Sequence, residues 1–161
     1  TVTSPLGPNS TMAEETQRIK NIDAYHNSQG WRGFAYHTIV FPSLRKYLTG
    51  DLTGVRAHVG SMFNSKLLSV AFEGDFSAVL PPEETRQAAV PVLKYLGAPG
   101  VPIKGHDAWA GGTVCPGTLN DFDWTPYFEP VMPPVDYVTY IKVGFAHSPE
   151  WFLDVKPPPG V

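Results

Sequence analysis

The spacing of apolar positions changes several times along the chain, and each change marks an element. Between residues 11 and 29, Ile19, Ile22, Tyr25 and His26 recur at helical spacing, which gives a helix one apolar side. Thr11 precedes Glu14 by three positions, a capping-box pattern in which the threonine hydroxyl accepts from an early backbone N–H. Gly30 supplies the stop. Upstream, TVTSPLGPNS (1–10) predicts the end of a strand running into a loop. Downstream, FAYHTIVF (34–41) is β-branched and aromatic and predicts a strand that Pro42 ends. Residues 43–54, with Gly50 and Gly54, predict a loop, and VRAHV (55–59) a short strand. KLLSVAFEG (66–74) is almost continuously apolar, which predicts a strand covered on both faces at the centre of a sheet. Pro81-Pro82-Glu83-Glu84 opens a second helix, with proline in the first turn and acids at its positive end. Ala89, Leu93 and Leu96 mark its buried side, and Pro91 is expected to kink it. VPIKG (101–105) predicts one more short strand.

This order of elements predicts an α/β fold with a central mixed β-sheet flanked by helices. It occupies residues 1–122. WTPYFEPVMPP (124–134) is proline-rich, so residues 123–134 are expected to be a linker. VDYVTYIKV (135–143) and EWFLDV (150–155) predict a β-hairpin extension, or the start of a further small module, over 135–161.

Composition narrows the function. A chain of 161 residues, 42% apolar and 17% charged, is one folded domain in size and can bury a core. Its net charge of −3 leaves no basic patch, so nucleic acid is not an expected partner. The single cysteine excludes an internal disulfide. No apolar run approaches the roughly 20 residues that span a bilayer. The chain starts Thr-Val-Thr, without an initiator methionine or signal peptide, and is expected to be part of a longer multidomain protein or a processed product.

The stretch GHDAWAGGTVCPG (105–117) holds the most chemistry. His106 and Cys115 lie nine residues apart on a glycine-rich loop that can fold back to bring them together. Zinc takes imidazole nitrogen and thiolate sulfur, and a catalytic zinc keeps three protein ligands and a water. On spacing alone the metal signal is weak, and a small buried thiol near an unrelated loop histidine is the reading it favours. Elsewhere, His26 reads as a packed structural histidine, and Trp31 as a residue packed under the helix end. Glu73 and Asp75 read as separate surface carboxylates rather than a pair, and His147 as a surface residue.

Three stretches together, AYHNSQGWRGFAYH (24–37), RAHVGSMFNSKLLSVAFEGDF (56–76) and GHDAWAGGTVCPG (105–117), resemble the type 2 N-acetylmuramoyl-L-alanine amidase family. That family includes phage endolysins, bacterial wall amidases and animal peptidoglycan recognition proteins. The resemblance implies a shallow groove for bacterial peptidoglycan, and zinc held by two histidines and a cysteine or aspartate. It implies cleavage of the amide between N-acetylmuramic acid and L-alanine, outside the cell or at the cell wall, by a lysin or a virion component. On this resemblance His106 and Cys115 fall on the second and third metal ligands. Tyr36 falls on the tyrosine beside the zinc-bound water and Thr113 on an oxyanion-stabilising position. His58 and Asn64 fall on groove positions that contact glycan or peptide; His37 and Trp109 are further groove candidates. A zinc-bound water near neutral pKa and two hydroxyl donors to an oxyanion would be coherent chemistry.

The sequence departs from the family at the first histidine ligand, which belongs at the end of the first strand. Here Thr3 or a near neighbour stands there, and no histidine precedes His26. Three explanations follow. His37, His58 or Asp107 substitutes as the third ligand; the domain binds peptidoglycan without zinc; or it is a structural part of a phage tail or larger assembly.

Overall fold

The computed structural model describes residues 4–110 and 112–128, and the backbone of two further strands at 142–145 and 148–154. The sheet is mixed and runs β3-β1-β2-β4-β5. Its strands are β1 (Thr38–Val40), β2 (Lys46–Leu48), β3 (Val70–Phe72), β4 (Lys142–Phe145) and β5 (Ser148–Asp154). β1 pairs antiparallel with β2 and parallel with β3, so the expected mixed α/β class is observed.

Helix α1 (Met12–Ser28) begins with the expected capping box: the Glu14 N–H donates to Thr11 Oγ1, and the Glu14 carboxylate accepts from the Thr11 N–H. Ile19 and His26 are buried on its inner side, but Tyr25 is 60% exposed. Helix α2 (Glu83–Tyr95) contains Pro91 and buries Thr85, Ala89, Val92 and Leu93.

Alternate residues of β1 feed two separate cores, because successive strand side chains point to opposite faces. Val40 packs with Ala89 and Leu93 of α2 and with Leu119 and Trp124; Val70 and Phe72 of β3 join them. Ile39 and Phe41 pack on the other side with Ile19 of α1, Phe34 and Tyr47, and Ala71 joins them. This double burial is why Ile39, Val40 and Phe41 are apolar in succession rather than alternating.

Five expected elements differ. Only 38–40 of the 34–41 run pairs as strand, although most of the run is buried. The expected 43–54 loop contains β2, reached by a tight turn in which the Leu44 N–H donates to the Phe41 carbonyl at 2.9 Å. Leu44 adopts φ 71°, a left-handed conformation that glycine usually supplies, so the turn that Pro42 and Ser43 signal closes on a residue that gives no sign of it. Residues 55–59 and 101–105 form no strand. The 66–74 strand shrinks to β3 and lies at one end of the described sheet, half-buried, rather than at its centre.

At the C-terminal side, Trp124 sits in the α2 core and short helix α3 (Thr125–Phe128) follows it, within the stretch expected as a linker. β4 and β5 form an antiparallel hairpin, and β4 continues the sheet by pairing parallel with β2. The expected strand residues 135–141 and 155 lie outside the described residues.

Two buried polar groups lock these layers. Glu15 of α1 is fully buried, and its carboxylate accepts from Ser10 Oγ at 2.6 Å, Tyr47 Oη at 2.5 Å, Arg45 Nη1 at 3.0 Å and Ser43 Oγ. It ties α1 to both ends of the β1–β2 turn and to the chain entering the helix. His37 is the second. Its Nδ1 accepts from the Ser69 N–H at 3.2 Å, and its Nε2 lies 3.1 Å from the Gly54 carbonyl. Those partners select the neutral tautomer with hydrogen on Nε2. Burial holds the ring's pKa down to about 4, against the opposing pull of the Gly54 carbonyl.

Replacing Glu15 by alanine leaves Arg45 and three hydroxyls facing an apolar hole, and is expected to cost about 3 kcal/mol in denaturant unfolding. His37 binds a proton more readily when unfolded, so stability is complete above about pH 6.5 and falls as pH drops toward 4. The loss is on the order of 2 kcal/mol after solvent screening. Denaturation midpoints across that window should flatten in His37→Asn.

Candidate functional site

Tyr36 precedes β1 by two residues and is half-buried. Its ring packs edge-on to Phe34 at 6.0 Å and His26 at 6.2 Å, and its carbonyl accepts from Thr49 Oγ1 at 2.5 Å. Burial raises the pKa of its hydroxyl, and the nearby Cys115 adds to the rise. The phenol is therefore neutral and able to donate a hydrogen bond. Cys115 is close enough for its charge to be felt there.

The 105–117 loop is built to bring its two ends together. His106–Ala108 forms a single 3₁₀ turn, and the Asp107 N–H donates to the Cys115 carbonyl at 3.0 Å. Gly105 must be glycine, since a Cβ there would run into Asn120 and into Pro116. Gly117 has φ 63° and lies against the Phe76 and Ser77 backbone, while the Thr118 N–H donates to the Phe76 carbonyl at 3.0 Å. Thr113 Oγ1 accepts from the Cys115 N–H at 3.1 Å, which leaves its own proton available. Cys115 is an exposed free thiol, and partial desolvation followed by the Asp107 charge pushes its pKa up.

The histidines stand in sequence behind this loop. His37 and His58 meet ring to ring at 5.4 Å, nearly perpendicular. His58 is 5% exposed, and its pKa is lowered by burial and by His106. His58 Nδ1 lies 3.0 Å from the Arg56 carbonyl and donates to it, which leaves Nε2 as a lone pair with no hydrogen-bond partner among the described residues. His106 Nδ1 is likewise buried without a partner among them, and burial lowers the pKa of this ring too.

The other expected residues divide. Asn64 Oδ1 accepts from the His58 and Val59 N–H groups at 3.1 and 2.9 Å, so its carbonyl braces the loop that carries His58. Trp109 is half-buried against Phe63 at 5.3 Å, which links the 105–117 loop to the 60–66 turns. Phe63 was not singled out from the sequence, although an aromatic residue beside Asn64 is a signal of a kind. His37 is withdrawn from the groove: both ring nitrogens are engaged and the side chain is buried, which leaves it nothing to offer a ligand. A cleft of about 460 Å³ lies beside the His106 turn, lined by Ile103, Lys104, Asp107, Asn120 and Phe122, and none of the expected groove or hydroxyl residues lines it.

The zinc implied by the family resemblance needs three protein donors. His106 Nδ1 has the unpartnered character of a ligand nitrogen, and Cys115 supplies a thiol. Asp107 Oδ2 is taken by the Asn120 amide, and the nitrogens of His37 are occupied. Thr3 lies outside the described residues. Among the described residues, no three His, Cys, Asp or Glu side chains form a group that could hold a metal. Within the described residues, this donor set falls short of the three that zinc needs.

The described residues contain no helix long and apolar enough to cross a membrane. Among known proteins, a peptidoglycan-recognition protein of Drosophila simulans is 29% identical over 119 residues, covering 70% of this chain and 64% of that protein. This chain thus spans less than two-thirds of that relative. Among solved structures, bumblebee PGRP-SA superposes with a TM-score of 0.66 at 22% identity, covering 83% of this chain and 81% of the other. The N-acetylmuramoyl-L-alanine amidase LysC of Clostridium intestinale gives 0.59 at 22% identity, covering 79% and 76%. These likenesses agree on the fold. Residues 7–118 match the family profile described as N-acetylmuramoyl-L-alanine amidase, and the chain belongs to that family.

Proposed function

We propose that this chain engages bacterial peptidoglycan at the junction between N-acetylmuramic acid and the first residue of the stem peptide. The observation that carries this reading is the meeting of two distant segments at one face. Tyr36, ahead of β1, lies close enough to Cys115 to share its electrostatics, and Thr113 is bonded to the Cys115 backbone. This face offers a neutral phenol and a free threonine hydroxyl, both donors suited to the carbonyl oxygens of a lactyl–peptide linkage. Trp109 and Phe63 add an aromatic wall against which a sugar or lactyl group can lose water. Family membership supports the choice of ligand. The place of action is then the bacterial wall or its soluble fragments, for a phage-borne or a cellular parent alike.

Hydrolysis of the N-acetylmuramoyl–L-alanine amide is the second reading, supported by the loop neck that draws the segments of His106 and Cys115 together and by Thr113 bonded to the Cys115 backbone. It requires a further metal donor beyond His106 and Cys115.

Co-sedimentation with insoluble peptidoglycan, and titration with N-acetylmuramoyl-L-alanyl-D-isoglutamine, test the proposal. Tyr36→Phe and Thr113→Ala each remove one donor and are expected to weaken binding about 3- to 10-fold with unchanged thermal stability. Equal affinity in both variants would remove this face as the binding surface. Trp109→Ala should weaken binding by a similar factor through lost apolar contact.

A further inference from the structure

We infer that the site works without a metal, with the free ring nitrogens of His58 and His106 meeting hydrogen-bonding groups of the ligand directly. This rests on the reading that the face engages peptidoglycan.

The argument begins with the donors. A catalytic zinc site needs three protein ligands, with the fourth position left to water. His106 and Cys115 are two, and no third His, Cys, Asp or Glu joins them in a metal-holding group among the described residues. His37 has both nitrogens bonded, to Ser69 and to Gly54. Asp107 bonds Asn120 through Oδ2, and its Oδ1 is buried without a partner among the described residues. Tyr36 and Thr113 offer neutral hydroxyls, which compete poorly with imidazole and thiolate for zinc. His58 retains a free Nε2, but no metal-holding group of three is formed with it among the described residues.

The two free nitrogens then need a partner. Buried polar atoms are nearly always hydrogen-bonded, and exceptions mark strain or function. Two such nitrogens occur here on histidines close enough to influence each other's charge. The tautomer of His58 is fixed by the Arg56 carbonyl, so its Nε2 can only accept. A ligand that satisfies it must bring an N–H or O–H group, and peptide amides and sugar hydroxyls both do. Asn64 holds the His58 backbone in place through two hydrogen bonds, so the acceptor is positioned before the ligand arrives.

The test uses the whole chain. Zinc content is measured after incubation with zinc and dialysis, and the affinity for N-acetylmuramoyl-L-alanyl-D-isoglutamine is measured in chelator and in added zinc. Release of the alanine amine from peptidoglycan is followed in parallel. Retention of less than about one-tenth equivalent of zinc, an affinity unchanged within about twofold by chelator, and no amine release are expected. His58→Phe, which keeps the ring volume and removes the acceptor, is expected to weaken binding about 10-fold, with the circular dichroism spectrum unchanged as a check of folding. Near one equivalent of zinc, lost in Cys115→Ser, together with zinc-dependent binding or amine release, would overturn the inference and restore the hydrolase. Unchanged affinity in a folded His58→Phe would overturn the acceptor role. Absence of binding in both chelator and zinc would instead overturn the choice of ligand on which the inference stands.

Discussion

The double-sided burial of β1 is the constraint on which the other parts depend. A strand of three residues makes few backbone hydrogen bonds, and its position comes from packing instead. Val40 is held by the α2 core, and Ile39 and Phe41 by the α1 core. Because the strand cannot rotate without exposing one set or the other, the residues entering it are fixed in facing. Tyr36 and His37, immediately upstream, inherit this. Tyr36 packs its ring against Phe34 and His26 on the α1 side, and His37 is turned into the seam between β1, β3 and the 50–54 loop.

Polar groups complete what the apolar layers begin. Glu15 replaces water with four donors and links the start of α1 to the β1–β2 turn. Such a carboxylate gains little net stability over an apolar residue, but it admits one arrangement of its partners. Glu73 acts similarly at the other edge. It accepts from the Leu6 N–H and lies 3.5 Å from Arg18, so the described N-terminal segment is held against the sheet by side chains.

The sequence revealed some of this and concealed the rest for identifiable reasons. Both long helices were legible because their starts carry capping and charge signals at Thr11, Glu14 and Glu83. The apolar run at 34–41 was legible as buried strand. β2 was not, because its turn depends on Leu44 in a glycine-like conformation and its first residue is Lys46. The run at 66–74 has the composition of a central strand, yet its neighbours cover it only partly; composition reports hydrophobicity and not sheet order. At the site, the His106–Cys115 loop was visible from residue type and spacing, and Tyr36 from the family resemblance. The state of each imidazole was not. His37 and His58 look alike in sequence, and only their hydrogen-bond partners separate a saturated ring from an available one.

The hydrogen bond from the Asp107 N–H to the Cys115 carbonyl has a consequence for how this loop can vary. It closes the chain between those two residues into a small ring, so the positions of His106 and Cys115 are settled at the neck and not along the arc. Val114, at 85% exposure, shows how far the arc stands out into water. Closure entropy changes only slowly with loop length, so the arc can lengthen, shorten or change composition at small thermodynamic cost. The fold thereby separates the placement of His106 and Cys115, set at the neck, from the arc that carries Trp109 and Thr113, where length and composition can change what the face presents.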